Sequence, residues 1–220
     1  MAVSELLPQT LPSDPMPLFA AWFAHARERR LQPNPDAMVL ATVADGQPSA
    51  RVVLCKRIAP EDGYLVFFTN YLSRKGRELA AHPRAAVVFH WDALHRQVRI
   101  EGRIVRSPAE ESDAYFASRP LDSRIGAWAS TQSAPLDARA TLEARGGEVA
   151  ERFQIAPGAQ DGNVPRPPHW GGFRLWIEAI ELWIEGAYRV HDRAVWRRTL
   201  TPRDEYSFVG SAWEATRLYP

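Results

Sequence analysis

The chain has 220 residues, enough for one sizeable core and short for two, and its 45% hydrophobic content is ordinary for a globular protein. A formal net charge of +1 supplies no broad field for nucleic acid or an acidic membrane surface, so neither partner is expected. A lone cysteine, Cys55, fits a reducing compartment; no apolar run approaches a membrane span and no secretory signal opens the chain, so a cytoplasmic protein is expected.

Residues 1–13 contain Pro8 and Pro12 and show no clear period, which predicts a flexible N-terminal arm ahead of a single domain over residues 14–220. Asp14 is placed to cap a helix with Pro15 in its first turn. Leu18, Phe19, Trp22, Phe23 and Ala26 then form one apolar helical face running to about Arg30, before Pro33 and Pro35. A strand is predicted from Ala37 to Val43, a tight turn at Asp45-Gly46, a second strand from Ser49 to Ile58 and a third from Tyr64 to Thr69. Connections this short leave no room for crossover helices and imply an antiparallel meander.

Ser73 to Ala81 reads as a short helix stopped by Pro83, and Ala85 to Trp91 as a mostly apolar strand. From Arg96 to Val105, Val98, Ile100, Gly102 and Ile104 alternate with Gln97, Arg99, Glu101 and Arg103, the pattern of a half-buried strand. Ser107-Pro108-Ala109-Glu110 has the form of a capping box and predicts a helix through Tyr115 and Phe116 to Arg119. Ile125 to Ala129 suggests a helical turn, and Asp137 to Phe153 a helix weakened at Gly146-Gly147. Ala156 to Pro168 is a loop by composition. Gly172 to Ile184 and Val190 to Leu200 read as long strands and Trp213 to Leu218 as a last one. Seven or so strands with inserted helices predict a mainly β (α+β) fold, a closed or nearly closed antiparallel barrel with helices at its ends and sides.

Several chemistries lack their signatures. There is no G-x-G-x-x-G after a strand, no G-x-x-x-x-G-K-[ST], no G-x-S-x-G, and the six histidines are scattered without metal-ligand spacing. What remains is a set of cations at strand and helix ends: Arg51 and Lys56 on one strand, Arg74 and Lys75 opening a helix, and Arg189 and Arg193 flanking His191. A phosphate is held by such Arg forks and Lys point charges, joined by hydroxyls such as Thr69 and Ser133. Taken singly, each of these cations also has the plain reading of a solvated surface charge.

The stretch Arg51-Val52-Val53-Leu54-Cys55-Lys56 resembles the R-x-V-L-L-K strand of the pyridoxine/pyridoxamine 5'-phosphate oxidase family. Phe68-Thr69-Asn70 with Ser73-Arg74-Lys75 resembles its Y-T-N…S-R-K segment, and Arg96-Gln97-Val98 its R-Q-V. Tyr115-Phe116, Ser118-Arg119-Pro120, Asp122-Ser123 and Ile125-Gly126-Ala127-Trp128 follow the pattern Y-F-x-S-R-P-x-x-S-x-I-G-A-W, and Gln132-Ser133 the Q-S after it. Trp170 to Arg174, Arg189 to Arg193 and the terminal Arg217-Leu218-Tyr219-Pro220 resemble W-G-G-F-R, R-L-H-D-R and R-L-x-P. The resemblance runs from Asp14 to the end, in order and at compatible spacing.

It implies an FMN-binding split β-barrel and a homodimer with FMN in a cleft between subunits. Arg51, Val52, Val53, Leu54, Cys55 and Lys56 are then expected along the flavin. Phe68, Thr69, Arg74 and Lys75 are expected around its phosphate. Gln97, Gln132, Ser133, Trp183 and Arg193 are expected to touch it too, some from the partner chain. The implied substrate contacts are Lys56, Tyr115, Arg119, Ser123, Arg189 and His191. The first three after Lys56 suit the substrate phosphate, whereas Arg189 and His191 are the expected catalytic pair beside the reacting carbon.

The implied reaction is oxidation of pyridoxamine 5'-phosphate and pyridoxine 5'-phosphate to pyridoxal 5'-phosphate by molecular oxygen. Hydrogen peroxide is released, with ammonia from the amine. Alternative readings are a related flavin oxidase acting on another ring, such as a phenazine precursor, and a non-catalytic flavin- or pyridoxal-phosphate-binding protein. Three departures stand out: Phe68 where Tyr is frequent, Cys55 in place of Leu, and Arg124 where Gln is common.

Overall fold

The computed structural model describes residues 6–220; the first five positions of the expected arm lie outside the described residues. Residues 6–13 rest against the rest of the chain. Leu7 is buried and its N–H donates to Asp192 Oδ2 at 2.8 Å, while the Pro12 carbonyl accepts from Trp196 Nε1 at 2.8 Å.

Helix α1 (Met16–Arg29) buries Met16, Phe19, Trp22, Phe23 and Ala26, the face that apolar spacing predicts. Pro15, not Asp14, occupies the N-cap, but Asp14 Oδ1 still accepts from the Met16 N–H at 2.9 Å. Left-handed Arg30 ends the helix. Phe19 and Phe23 pack on Phe89 with ring centroids 5.6 and 5.8 Å apart, closing one end of the barrel.

Strands β1 (Ala37–Ala44) and β2 (Gln47–Leu54) form a hairpin whose two-residue turn, Asp45-Gly46, has positive φ at both positions. The expected single strand from Ser49 to Ile58 is two strands. After Leu54 the Cys55 N–H donates to the Asp36 carbonyl, and the Lys56 N–H to the Val66 carbonyl. The chain thereby leaves β1 and pairs as β3 (Arg57–Ala59) with β4 (Tyr64–Asn70). The residues at this break are the ones the family resemblance singles out.

Helix α2 (Arg74–Ala81) follows, capped by Ser73, whose hydroxyl accepts from the Gly76 N–H. Then come β5 (Arg84–Trp91) and β6 (Arg96–Arg106). The predicted capping box does not form: Pro108 is the N-cap of α3 (Ala109–Ala117), and the buried Ser107 hydroxyl has no partner among the described residues. Helix α4 spans Leu121–Ala129. Helix α5 spans Arg139–Arg152 and runs unbroken through Gly146 and Gly147. None of the α5 residues is buried.

The long strand β7 (Trp170–Ile184) makes the barrel split. It pairs along its length with β6, through its first half with β4, and through its second half with β8 (Asp192–Arg197). The main sheet runs β11-β8-β7-β6-β5-β1-β2, where β11 is Glu214–Leu218. The expected long strand from Val190 to Leu200 is shorter because β9 (Leu200–Pro202) turns away to pair with β10 (Phe208–Gly210) in a separate ribbon. Leu40, Phe67, Ile100, Leu175, Ile180 and Trp196 are wholly buried between these layers. Each such side chain stabilises the fold by about 1.5–3 kcal/mol relative to exposure. No helix among the described residues is long and apolar enough to cross a membrane.

Candidate functional site

Strand β2 ends the sheet path, so the backbone groups on its outer edge have no ladder partner among the described residues. Beside it, the end of β4 and helices α2, α3 and α4 enclose a cavity of about 520 Å³. Val52, Val53, Leu54 and Lys56 line it from the β2 edge, Phe68 and Thr69 from β4, and Lys75 from α2. Tyr115, Arg119, Ser123 and Gln132 complete the set of sequence-predicted residues that meet there.

The cavity has a polar corner and an aromatic wall. Lys75 Nζ donates to Gln132 Oε1 at 3.0 Å and to Thr69 Oγ1 at 3.2 Å. Burial, followed by repulsion from Arg51, lowers the Lys75 pKa. Its ammonium therefore rests against neutral oxygens and is only partly compensated. The wall is a stack: Phe68 lies 4.0 Å from Tyr115 at 14°, and 5.6 Å from Trp170 at 9°. Phe68 thus supplies a flat ring face where a tyrosine would add a hydroxyl.

Arg119 sits just beyond α3, its guanidinium carbon 4.6 Å from the Trp170 ring centroid. Its Nη1 is buried and has no hydrogen-bond partner among the described residues. Burial lowers its pKa. A buried guanidinium donor left without a partner costs about 1–3 kcal/mol.

Other predicted residues lie elsewhere. Arg51 and Arg74 do not line the cavity; both are ion-paired to the buried Glu78, at 3.0 and 2.8 Å. Thr42 and Ser49 also donate to that carboxylate. Burial pushes the Glu78 pKa up, but the hydrogen bonds from Thr42, Arg74, Ser49 and Arg51 outweigh it and hold the value at about 2. Cys55 is buried at the strand break, and burial pushes its thiol up to about 12, so it is no thiolate at neutral pH. Ser133 is exposed in a left-handed turn.

Of the remaining five, four form a second cluster and Arg189 stands beside it in sequence. Gln97, Trp183 and Arg193 stand in one cross-strand row on β6, β7 and β8. His191 packs on Trp183, with centroids 4.6 Å apart. Arg189 is exposed in the short 3-10 turn before β8. Arg193 donates to Glu181 Oε1 and to the Tyr219 carbonyl, both at 2.9 Å. None of these five lines the cavity that holds Lys75 and Arg119.

Sequence reasoning missed Asn70, Ser130 and Trp170 as lining residues, although Asn70 and Trp170 lie inside matched motifs. It also missed Glu78. The only local signal there was a Glu four residues after Arg74 on one helix.

Residues 24–153 match the family described as Pyridoxamine 5'-phosphate oxidase, and residues 170–220 the Pyridoxine 5'-phosphate oxidase C-terminal dimerisation region. A pyridoxine/pyridoxamine 5'-phosphate oxidase of Burkholderia cenocepacia is 54% identical over 208 residues, covering 94% of this chain and 89% of the relative. One from Paraburkholderia phytofirmans is 52% identical over the same shares. Among solved structures, PhzG from Burkholderia lata in complex with tetrahydrophenazine-1-carboxylic acid superposes with a TM-score of 0.83 at 31% identity, covering all of both chains. An FMN-binding protein from Nostoc punctiforme related to pyridoxamine 5'-phosphate oxidase shares the fold, with a TM-score of 0.66 at 17% identity over 94% of this chain and 97% of that one.

Proposed function

The chain belongs to the pyridoxine/pyridoxamine 5'-phosphate oxidase family, and on that premise we propose that it oxidises pyridoxamine 5'-phosphate and pyridoxine 5'-phosphate to pyridoxal 5'-phosphate with molecular oxygen. The observation that carries this reading is Arg119. It lines the cavity together with Tyr115 and Ser123, and its buried Nη1 has no hydrogen-bond partner among the described residues. An Arg fork with two hydroxyls matches a phosphate monoester. Held there by its remote phosphate, the substrate ring is confined beside the aromatic wall, an orientation effect on the reaction.

FMN fits the other part of the cavity. Lys75 offers a partly compensated cation to its phosphate, and the unpaired edge of Val52 to Leu54 offers backbone donors and acceptors to a flat heterocycle. When bound, FMN supplies the two-electron acceptor that oxygen regenerates with release of hydrogen peroxide. Arg51 is held to Glu78 through Nη2, whereas Arg74 engages Glu78 through Nε alone and keeps its terminal guanidinium nitrogens for the phosphate beside Lys75. The match of residues 170–220 to a dimerisation region supports a homodimer. In it, Gln97, Trp183, Arg189, His191 and Arg193 of one protomer would complete the cavity of the other. Arg189 and His191 would there orient the reacting end of the substrate.

The full-length likeness to PhzG favours a second reading, oxidation of a reduced phenazine acid. An aerobic assay of the FMN-loaded protein with each B6 phosphate and with tetrahydrophenazine-1-carboxylic acid separates the two. The expected result is equal formation of aldehyde and peroxide from a B6 phosphate. Turnover of the phenazine acid alone would replace the proposal with the second reading, and turnover of neither would leave a binding protein.

A further inference from the structure

The turn that carries Arg189 and His191 is closed tightly by its own backbone. Tyr188 and Arg189 are both left-handed, with φ of 57° and 65°. Each such residue costs of order 1 kcal/mol or more. Tyr188 is 99% exposed, so burial of its ring does not offset the strain. The Val190 N–H donates to the Ala187 carbonyl at 3.0 Å. Gly186 approaches the Val190 carbonyl so closely that an added Cβ would overlap its oxygen. In this arrangement the Gly186 N–H donates to His191 Nδ1 at 3.2 Å.

A backbone amide only donates. Nδ1 of His191 must therefore present its lone pair to Gly186, and the proton of the neutral ring sits on Nε2. The ring also packs against Trp183, with centroids 4.6 Å apart and 39° between planes. We propose that Gly186 is a positioning residue that locks His191 in the Nε2–H tautomer, so that His191 meets the substrate as a hydrogen-bond donor through Nε2 and not as a base at that nitrogen. The substrate atom recognised is then a lone-pair-bearing oxygen or nitrogen of the ring or its reacting substituent. The inference rests on the reading of His191 as a substrate-binding group. It adds the direction of the hydrogen bond and the residue that sets it.

The test begins with two-bond proton–nitrogen correlation spectra of the ¹⁵N-labelled, FMN-loaded protein at alkaline pH. The His191 signals are those lost in His191→Gln. A pattern with a protonated Nε2 and an unprotonated Nδ1 is expected; the reverse pattern overturns the proposal whatever the enzyme's activity. In Gly186→Ala the His191 pattern should change toward a mixture of tautomers while the other histidines keep theirs. An unchanged His191 pattern in that variant removes the role given to Gly186. If the variant does not fold, the parent spectrum still decides the tautomer.

The donor role is read from two substitutions. A Gln amide nitrogen can stand near Nε2, and an Asn amide nitrogen near Nδ1, so His191→Gln should keep roughly tenfold more kcat/KM than His191→Asn, the size of one hydrogen bond. Equal losses overturn the donor role. Expected spectra from a protein that oxidises no B6 phosphate would overturn the proposed function and leave the tautomer assignment standing.

Discussion

On the two sides of α2, basic residues from the same short motif meet opposite fates. Arg74 and Arg51 converge on Glu78, a buried carboxylate that Thr42 and Ser49 also hold. Lys75, the next residue, lines the cavity and donates only to neutral oxygens, and Arg119, which lines it too, has a buried Nη1 without a partner among the described residues. In the first cluster two guanidinium groups share one hydrogen-bonded carboxylate, whereas in the second no carboxylate is within hydrogen-bond reach of Lys75. A run of cations in sequence is therefore sorted into scaffold and site by whether a protein anion is already within reach. Here a single acidic side chain on the inner face of α2 decides it.

The sharpest way to break this comparison is to remove the open donor. Arg119→Ala should lower kcat/KM for pyridoxamine 5'-phosphate about 100-fold, the worth of charge-assisted bonds to a phosphate. FMN retention, read from flavin fluorescence, should hardly change. Arg119→Lys should recover little, because a point charge cannot reproduce the fork. A variant with unaltered kinetics would mean that the open Nη1 is not a substrate site.

The complementary experiment breaks the closed cluster. Glu78→Ala leaves Arg51 without its anion and should cost about 3 kcal/mol, a fall in Tm of roughly 6–12 °C, with a smaller effect on KM. The pH dependence has a definite sign. The folded-state pKa of Glu78, about 2, lies below its ordinary 4.5. Its contribution to stability is thus fully present above pH 4.5 and fades as pH falls toward 2. Denaturant midpoints measured across that window should decline more steeply in the parent than in Glu78→Ala. Parallel curves would mean that the carboxylate is not held by the four donors around it.

How much of this was legible beforehand depends on the range of the interaction. The α1 stripe through Phe19, Trp22 and Phe23, the Asp45-Gly46 hairpin and the alternation along β6 are local patterns, and the fold reproduces them. The break at Cys55 and Lys56 is not local. It arises because Asp36 and Val66, distant in sequence, accept their N–H groups. The Ser107 capping box is misread from the local pattern, because Pro108 takes the cap position and the Ser107 hydroxyl has no partner among the described residues. In the site, Lys75, Arg119 and Tyr115 could be named from motifs. That Arg51 and Arg74 would be held by Glu78 could not, since Thr42, Ser49 and Glu78 meet only through the packing of α2 on the β1–β2 hairpin. The cluster around His191 was named residue by residue, yet its separation from the cavity within one chain is a property of the sheet order.

A third cation pair sets the lower end of the scale. Arg139 and Glu143 stand four apart on α5, 2.9 Å from each other and 90% and 64% exposed. The pair has the distance and spacing of Arg74 with Glu78 but none of the burial, and no second donor among the described residues bonds the carboxylate. Water solvates both partners in the folded and unfolded chain, so Coulomb attraction gains little over side-chain ordering. Arg139→Ala should therefore shift Tm by no more than about 1 °C and leave turnover unchanged. A shift as large as that of Glu78→Ala would show that helical spacing alone governs the strength of these pairs. It would remove burial and multiple donors as the reason the Glu78 cluster is closed and the cavity cations are open.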